Sequence, residues 1–200
     1  MQNRNRADQG FSLLEAVIVV GIVMVLGGLA VFQSLGSLQN YQVNSAQDAV
    51  VSQLRLARQL AISQRRYVRV QINTATTPAS VTYTILPRAG SGDLPSAPVM
   101  AVLPDQTKFM QESGVPDTPM AFGTCSSAGV CIGGVAGGPP FMQFTSTGQF
   151  VDSTGVTTLN GTIFIGVPNK KPTARAITIM GGTGRVRPYT YVGGSTVWAQ

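Results

Sequence analysis

One long apolar run near the N-terminus constrains this chain more than any other feature. The run extends from Phe11 to Phe32, and Glu15 is its only charged residue. As an α-helix these residues would span about 33 Å, close to the hydrocarbon thickness of about 30 Å in a bilayer. Arg4 and Arg6 precede the run, and basic flanks stay on the cytoplasmic side. The sequence therefore predicts one membrane span, with everything after Phe32 outside the cytoplasm.

A secretory signal peptide and a plain signal anchor are two other interpretations of this run. A signal peptide has an apolar stretch of about 7–15 residues and then a cleavage site between small residues. This run is longer, and residues 33–37 continue it with helix-like sequence. A plain signal anchor stays open as an alternative when the run is considered alone.

Glu15 distinguishes an assembling helix from a simple anchor. A carboxylate at the middle of a bilayer costs about 2.5–3.5 kcal/mol, and less near the interface, so it is expected to have a partner. Cleavage between Gly10 and Phe11 would place a new α-ammonium group four residues from Glu15. That ammonium is within reach of Glu15 in the same helix or in a packed neighbour. The alternative is that Glu15 reaches the lipid headgroups.

Composition argues against an enzyme. The chain has no histidine, which excludes Ser-His-Asp and Cys-His nucleophile systems and all zinc sites with histidine ligands. Cys125 and Cys131 are the only cysteines, too few for a four-thiolate site. We therefore predict no catalytic residues, no metal and no cofactor. Because a close cysteine pair outside the cytoplasm usually oxidises, we predict a Cys125–Cys131 disulfide.

The segment after the anchor has the pattern of an amphipathic helix. Residues 39–66 contain no proline or glycine. Apolar residues recur at helical spacing, which predicts one buried face; they are Val43, Ala46, Val50, Leu54, Ala57 and Ala61. We predict one helix of about 50 residues from the anchor onward, with a soft point at Gly27 and Gly28. Four arginines, Arg55, Arg58, Arg65 and Arg69, lie along another line and are predicted to form a solvated face.

From Tyr67 onward the pattern alternates with a period of two, which is typical of strands. Predicted strands are Tyr67–Ile72, Val81–Ile85, Val99–Leu103, Phe141–Thr145, Thr162–Val167, Ala176–Met180 and Arg185–Tyr191. Turn-rich stretches separate several of them. One helix followed by successive strands predicts an α+β fold with mainly antiparallel pairing. Pro188 is predicted to place its strand at an edge or a bulge.

The segment Gly10-Phe11-Ser12-Leu13-Leu14-Glu15, placed before an apolar stretch, resembles the processing site of type IV prepilins and type II secretion pseudopilins. The resemblance implies that a prepilin peptidase cuts after Gly10 and methylates Phe11, and that Glu15 helps to recruit the subunit into a filament. It also implies other pilin or pseudopilin subunits, an inner-membrane assembly platform and the inner membrane itself as partners. The implied organisation is a leader at 1–10, a transmembrane helix at 11–38, an amphipathic helix at 39–66 and a β-rich periplasmic head at 67–200.

Three further segments resemble the GspH/FimT group of minor pseudopilins and minor pilins. They are the helix sequence Gln53–Ile62, the turn sequence Phe144–Gly148, and Ile177–Ile179 followed by Gly184–Arg187. This resemblance implies a pilin-like fold, in which one long helix packs on a β-sheet head. It implies a minor subunit of a type II secretion pseudopilus or a type IV pilus. Residues 88–140 match nothing in that group.

A DNA-binding minor pilin is the alternative function. Members of the group that serve DNA uptake bind DNA through a Gly-Arg-x-Arg element, which Gly184–Arg187 resembles. From Asn160 to the end the chain has no acidic residue and five basic ones, Lys170, Lys171, Arg175, Arg185 and Arg187. Alternate positions of a strand point the same way, so Arg185 and Arg187 would grip neighbouring phosphates. The competing interpretation is that these arginines form ion pairs or contact the next subunit.

Overall fold

The computed structural model describes residues 12–88, 90–125, 129–139, 141–193 and 197–200, without the side chains of residues 29–37 and Val197. The predicted leader, together with Gly10 and Phe11, lies outside these residues. The chain divides into two compact units, Met1–Leu38 and Gln39–Gln200. We call the second unit the head.

The helix α1 extends from Leu13 to Gln64 and has 52 residues. Glu15 lies in its first turn. In the first unit, every large apolar side chain from Leu13 to Leu26 is at least 49% exposed. Of the helices in the described part of the chain, none combines the length and the apolar character needed to cross a membrane.

The head part of α1 buries the face that the sequence predicts. All six of the predicted apolar residues, from Val43 to Ala61, are 0% exposed, which confirms the amphipathic pattern. The helix ends just after Gln64, where Arg65 takes a left-handed φ of 51°. The backbone N–H of Arg66 donates to the Ala61 carbonyl at 3.2 Å, which closes the last turn as a Schellman motif.

The described strands form two antiparallel sheets. They are β1 Val68–Asn73, β2 Ser80–Ile85, β3 Val99–Val102, β4 Lys108–Phe109, β5 Val130–Ile132, β6 Val135–Ala136, β7 Met142–Phe144, β8 Phe150–Asp152, β9 Gly161–Gly166, β10 Arg175–Met180, β11 Arg185–Val192 and β12 Val197–Ala199. A five-stranded sheet has the order β3-β2-β1-β7-β8, and a seven-stranded sheet has the order β12-β11-β10-β9-β5-β6, with β4 also paired to β9. A short 3-10 helix, Lys171–Thr173, precedes β10.

These sheets confirm the predicted α+β class with antiparallel pairing. All seven predicted strands are present, and each end lies within one residue of its predicted position. Pro188 pairs with Ile177 of β10, whereas β12 pairs only with residues 190–192 of β11. Pro188 therefore lies where β11 has no described strand on its other side, as the missing N–H requires.

Two apolar clusters lie on opposite faces of the seven-stranded sheet. The larger cluster joins α1 to both sheets and includes Leu54, Phe144 and Ile177, all fully buried. The smaller cluster lies around Ala176 and Trp198. Ala176 and Ile177 are adjacent in β10 and so point to opposite faces. The larger cluster fixes α1 against the turn that leads into β11, which positions the site described next.

Candidate functional site

Three sequence segments that are far apart in the chain meet at one end of the head. They are the α1 segment Gln53–Ile62, the turn that ends at Gly148, and the turn that leads from β10 into β11 at Gly184. The Arg58 Nε–H donates to the Gly148 carbonyl oxygen at 3.2 Å. A Cβ atom on Gly184 would overlap that same carbonyl oxygen and would lie 3.0 Å from Arg58 Nε. The helix and the two turns are therefore in direct contact.

Both glycines are required by this contact. Gly148 has φ = 83° and Gly184 has φ = 60°, and residues that carry a side chain rarely adopt such backbone angles. A Cβ on Gly148 would also lie 2.8 Å from the Ile62 Cδ1 atom. Glycine at both positions lets the two backbone turns approach each other and the helix closely enough for Arg58 to reach the Gly148 carbonyl.

An open groove of about 570 Å³ lies between α1 and the start of β11. We call it the arginine groove; its walls include Arg55, Arg58 and Ile62 from the helix and residues 184–186 from the strand side. Arg55 Nη2 donates to the Val186 carbonyl oxygen at 3.3 Å. Arg55 and Arg185 are exposed and Arg58 is half-buried. The groove thus brings three guanidinium groups to one solvent-facing depression.

Arg185 and Arg187 occupy different environments, although the sequence predicts that they act together. Arg185 lines the arginine groove and is exposed. Arg187 is half-buried, its Nη1 lies 4.0 Å from the Met120 sulfur, and its Nε atom is buried with no hydrogen-bond partner among the described atoms. Only the first of the two arginines is placed to contact a partner in this groove.

The other predicted basic residues lie elsewhere. Arg175 is 5% exposed, and its Nε donates to Asn44 Oδ1 at 2.8 Å. Burial lowers the pKa of the Arg175 guanidinium, and the structure leaves this side chain inaccessible to phosphates. Lys170 and Lys171 are exposed, and the Lys170 ammonium donates to Gln39 Oε1.

The structure therefore does not bring the five basic residues after Asn160 together on one accessible surface. Gln39, beside Lys170, precedes Arg58 by 19 positions on α1, which corresponds to about 28 Å along a helix. The exposed lysines thus lie at one end of the head and Arg185 at the other. The prediction that the line of four arginines forms a solvated face is also wrong in part. Arg58 donates a hydrogen bond to the Gly148 carbonyl, and the Arg69 guanidinium carbon lies 4.6 Å from the centre of the Phe141 ring.

The remaining predicted sites are the processing motif and the cysteine pair. Glu15 is exposed in the first turn of α1, where Ala16 N–H donates to the Ser12 carbonyl at 3.1 Å. A disulfide joins Cys125 to Cys131, the middle residue of β5. Across the described residues, no group of three or more potential ligand side chains is arranged to hold a metal ion.

Sequence reasoning missed one polar residue that fixes the helix to the head. Gln47 is 6% exposed, and its Nε2 donates at 3.0 Å to the carbonyl oxygens of both Ala176 and Tyr189. Gln47 directly follows Ala46 of the buried helix face, and this position was the signal that could have predicted its burial. Arg55 and Arg58 were recognised only as a charged line, because their carbonyl partners are about 90 or more residues away in sequence.

Solved structures of three pilin-like chains are similar to this one. The minor pseudopilin EpsH from the type 2 secretion system of Vibrio cholerae is 12% identical, with 77% of this chain and 99% of that chain covered and a TM-score of 0.46. The type IV minor pilin FimU of Pseudomonas aeruginosa in one crystal form is 17% identical, with 80% and 94% covered and a TM-score of 0.48. A second crystal form of FimU is 18% identical, with 78% and 97% covered and a TM-score of 0.45.

No protein-family model and no curated protein matches the sequence.

Proposed function

We propose that this chain is a minor subunit of a type II secretion pseudopilus or a type IV pilus. It is made with a leader of residues 1–10, cut by a prepilin peptidase after Gly10 and methylated on Phe11. Residues 11–38 hold it in the inner membrane with the head in the periplasm. The helix α1 then packs among the helices of other subunits in the filament, and the head lies on the filament surface.

The observation that supports this proposal most is the surroundings of Glu15. It is a carboxylate in the first turn of a helix whose large apolar side chains are exposed on every side as far as Leu26. A helix that is apolar all round needs an apolar environment, either lipid or other helices. In that environment a carboxylate is stabilised by a nearby cation, and an ammonium group on Phe11 of the same or a neighbouring subunit supplies one.

The head supports the proposal in a second way. The apolar face of the head part of α1, from Val43 to Ala61, is fully buried by the sheets. The rest of that helix surface carries exposed polar side chains, among them Asp48 and Ser52. The head therefore has a core of its own, separate from the exposed apolar side chains of residues 13–26.

The test is incorporation of a Glu15→Gln variant into filaments in cells that contain the assembly machinery. The matched control is Asp48→Asn, which removes one carboxylate from the exposed surface of the same helix. We expect the Glu15→Gln chain to be processed and to stay in the membrane but to be depleted about tenfold or more from sheared filaments, because it loses a buried ion pair. Equal incorporation of both variants would contradict the proposed role of Glu15.

DNA binding through residues 184–187 is the second candidate function. The exposure of Arg185 beside two helix arginines favours it, because three guanidinium groups attract phosphate. The expected result is salt-sensitive DNA binding that the double variant Arg185→Ala, Arg187→Ala abolishes. Arg187 is half-buried and Arg185 is exposed, so a sharper form of this test uses Arg185→Ala alone. We expect this single variant to lose most of the DNA binding.

A further inference from the structure

The arginines of the arginine groove are partly fixed by the fold of the head. Two of the groove's three arginines are held by the backbone, Arg55 by the Val186 carbonyl at 3.3 Å and Arg58 by the Gly148 carbonyl at 3.2 Å. Each of these bonds uses one donor of a guanidinium that has five. The remaining donors are therefore oriented before any partner arrives, and less side-chain entropy is lost on binding.

The positive charge of the groove is not neutralised inside the head. Among the described residues, Arg66 with Asp93, at 3.3 Å, forms the one ion pair, and no acidic residue lines the groove. The Arg185 side chain makes no hydrogen bond or ion pair within the described part of the chain. Three like charges in one depression repel each other, and the attraction of a bound anion offsets this repulsion.

The walls of the groove are partly apolar. The Ile62 side chain is 42% exposed there, and the stems of the arginines cover further apolar surface. Such walls suit a peptide that carries apolar and acidic side chains together. A nucleic-acid backbone needs instead a track of cations along its length.

The other basic residues after Asn160 do not extend the groove into such a track. Arg175 is buried, Arg187 packs on Met120, and the exposed lysines lie about 28 Å away along α1. Of the remaining arginines of the head, Arg66 is paired with Asp93 and Arg69 lies against the Phe141 ring, whereas Arg65 and Arg88 are exposed outside the groove lining. Because three arginines line the groove together with the exposed Ile62 side chain, the groove favours a compact partner with two or more carboxylates over an extended polyanion.

We propose that the arginine groove is a docking site for an acidic segment of a neighbouring protein subunit. Carboxylates of that segment accept hydrogen bonds from Arg55, Arg58 and Arg185, and its apolar side chains pack on Ile62. The identity of the partner as a neighbouring filament subunit rests on the proposed function. Of the six acidic residues in this head, four already accept hydrogen bonds within it: Asp93, Glu112, Asp117 and Asp152. Most carboxylates of a second copy of this head are therefore a poor match for the groove, and a different subunit fits it better.

The experiment measures binding of labelled probes to the full chain in detergent micelles by fluorescence anisotropy. The probes are a short peptide with two glutamates between apolar residues, the same peptide with glutamines, and duplex DNA. We expect the glutamate peptide to bind and the glutamine peptide to bind at least about tenfold more weakly, because hydrogen bonds to charged groups are lost.

The variants locate the site. Arg55→Gln with Arg185→Gln is expected to weaken binding of the glutamate peptide about tenfold or more. The matched control, Arg88→Gln with Lys171→Gln, removes the same charge from exposed positions outside the groove and is expected to change binding by less than about twofold at physiological salt. Arg185→Gln alone serves as a second variant, because no described hydrogen bond or ion pair of the fold involves that side chain.

Equal effects of the groove and control variants would overturn the proposal. Tighter binding of DNA than of the glutamate peptide, lost in the groove variant, would overturn it as well and would favour the DNA-binding alternative. Because these measurements use the isolated chain, they are independent of processing and filament entry. A negative result in the Glu15 experiment would therefore reject the filament role without deciding what the groove binds.

Discussion

Replacing Gly184 with alanine tests how the three segments meet at the arginine groove. The residue has φ = 60°, and an added Cβ would overlap the carbonyl oxygen of Gly148. That oxygen belongs to the backbone and also accepts the Arg58 Nε–H at 3.2 Å. The clash can be relieved only if the turn before β11 and the turn at Gly148 move apart.

The expected destabilisation is the sum of two effects. A left-handed backbone costs a residue with a Cβ about 1–2 kcal/mol. Separation of the turns removes the hydrogen bond from a charged group, which contributes about 1.5–3 kcal/mol. We therefore predict that Gly184→Ala lowers the free energy of unfolding by about 3 kcal/mol or more.

The assay is urea unfolding of the full chain in detergent, followed by tryptophan fluorescence. Trp198 is the one tryptophan of the chain, is 6% exposed and donates to the Asp117 carbonyl at 3.0 Å, so it reports on the folded head. With an m-value of about 2 kcal/mol per molar urea, the midpoint should fall by about 1.5 M.

The matched control is Gly182→Ala in the same turn. Gly182 has no left-handed φ, and its added Cβ would meet no atom within 4 Å. This variant should change the free energy of unfolding by less than about 0.5 kcal/mol. If Gly184→Ala is as stable as Gly182→Ala, the close approach of the two turns is refuted.

Three further predictions concern the rest of the head. Gln47→Leu should lower the free energy of unfolding by about 2 kcal/mol in the same urea assay, because two buried carbonyls of β10 and β11 lose their donor. The Thr154 hydroxyl and three loop N–H groups donate to Asp152 and lower its pKa. The stability that this carboxylate adds is therefore present at neutral pH and is lost as the pH falls through the lowered pKa. In an NMR titration, Thr154→Ala should raise the pKa of Asp152. Reduction of the Cys125–Cys131 disulfide should lower the free energy of unfolding by about 2 kcal/mol, because the unfolded chain gains the entropy of an open loop. The control is the double variant Cys125→Ser, Cys131→Ser, which should unfold identically with and without reductant.

Local pattern predicted much of this fold. The spacing of Val43 through Ala61 identified the buried helix face, and alternation identified β1 and β2, because these elements bury mainly one face. The strands β9 and β10 are buried on both faces, and their short apolar runs between turn residues were the signal that located them. The strands that the sequence did not predict, β4, β5, β6, β8 and β12, have only two or three residues each. Such short strands carry no periodicity and form because a neighbouring strand offers its backbone donors and acceptors.

The candidate site was less predictable, because it is made by contacts between distant segments. The sequence identified Gly184 and Arg185 by resemblance, yet nothing local shows that Arg58 reaches the turn at Gly148. It also grouped Arg175 with the accessible basic residues. In the structure that side chain is turned toward Asn44 and the backbone carbonyls of Pro172 and Ala174, an outcome that depends on how β10 packs against α1.

Intact-mass spectrometry of the chain, purified from cells that contain a prepilin peptidase, tests the central claim most directly. The account predicts a product that starts at Phe11 and carries one added methyl group. Gly10→Leu should block this cleavage, whereas Gln9→Leu should leave it intact. A product that retains residues 1–10, or one that starts beyond Phe32, would contradict the claim that α1 enters a filament by its cleaved end.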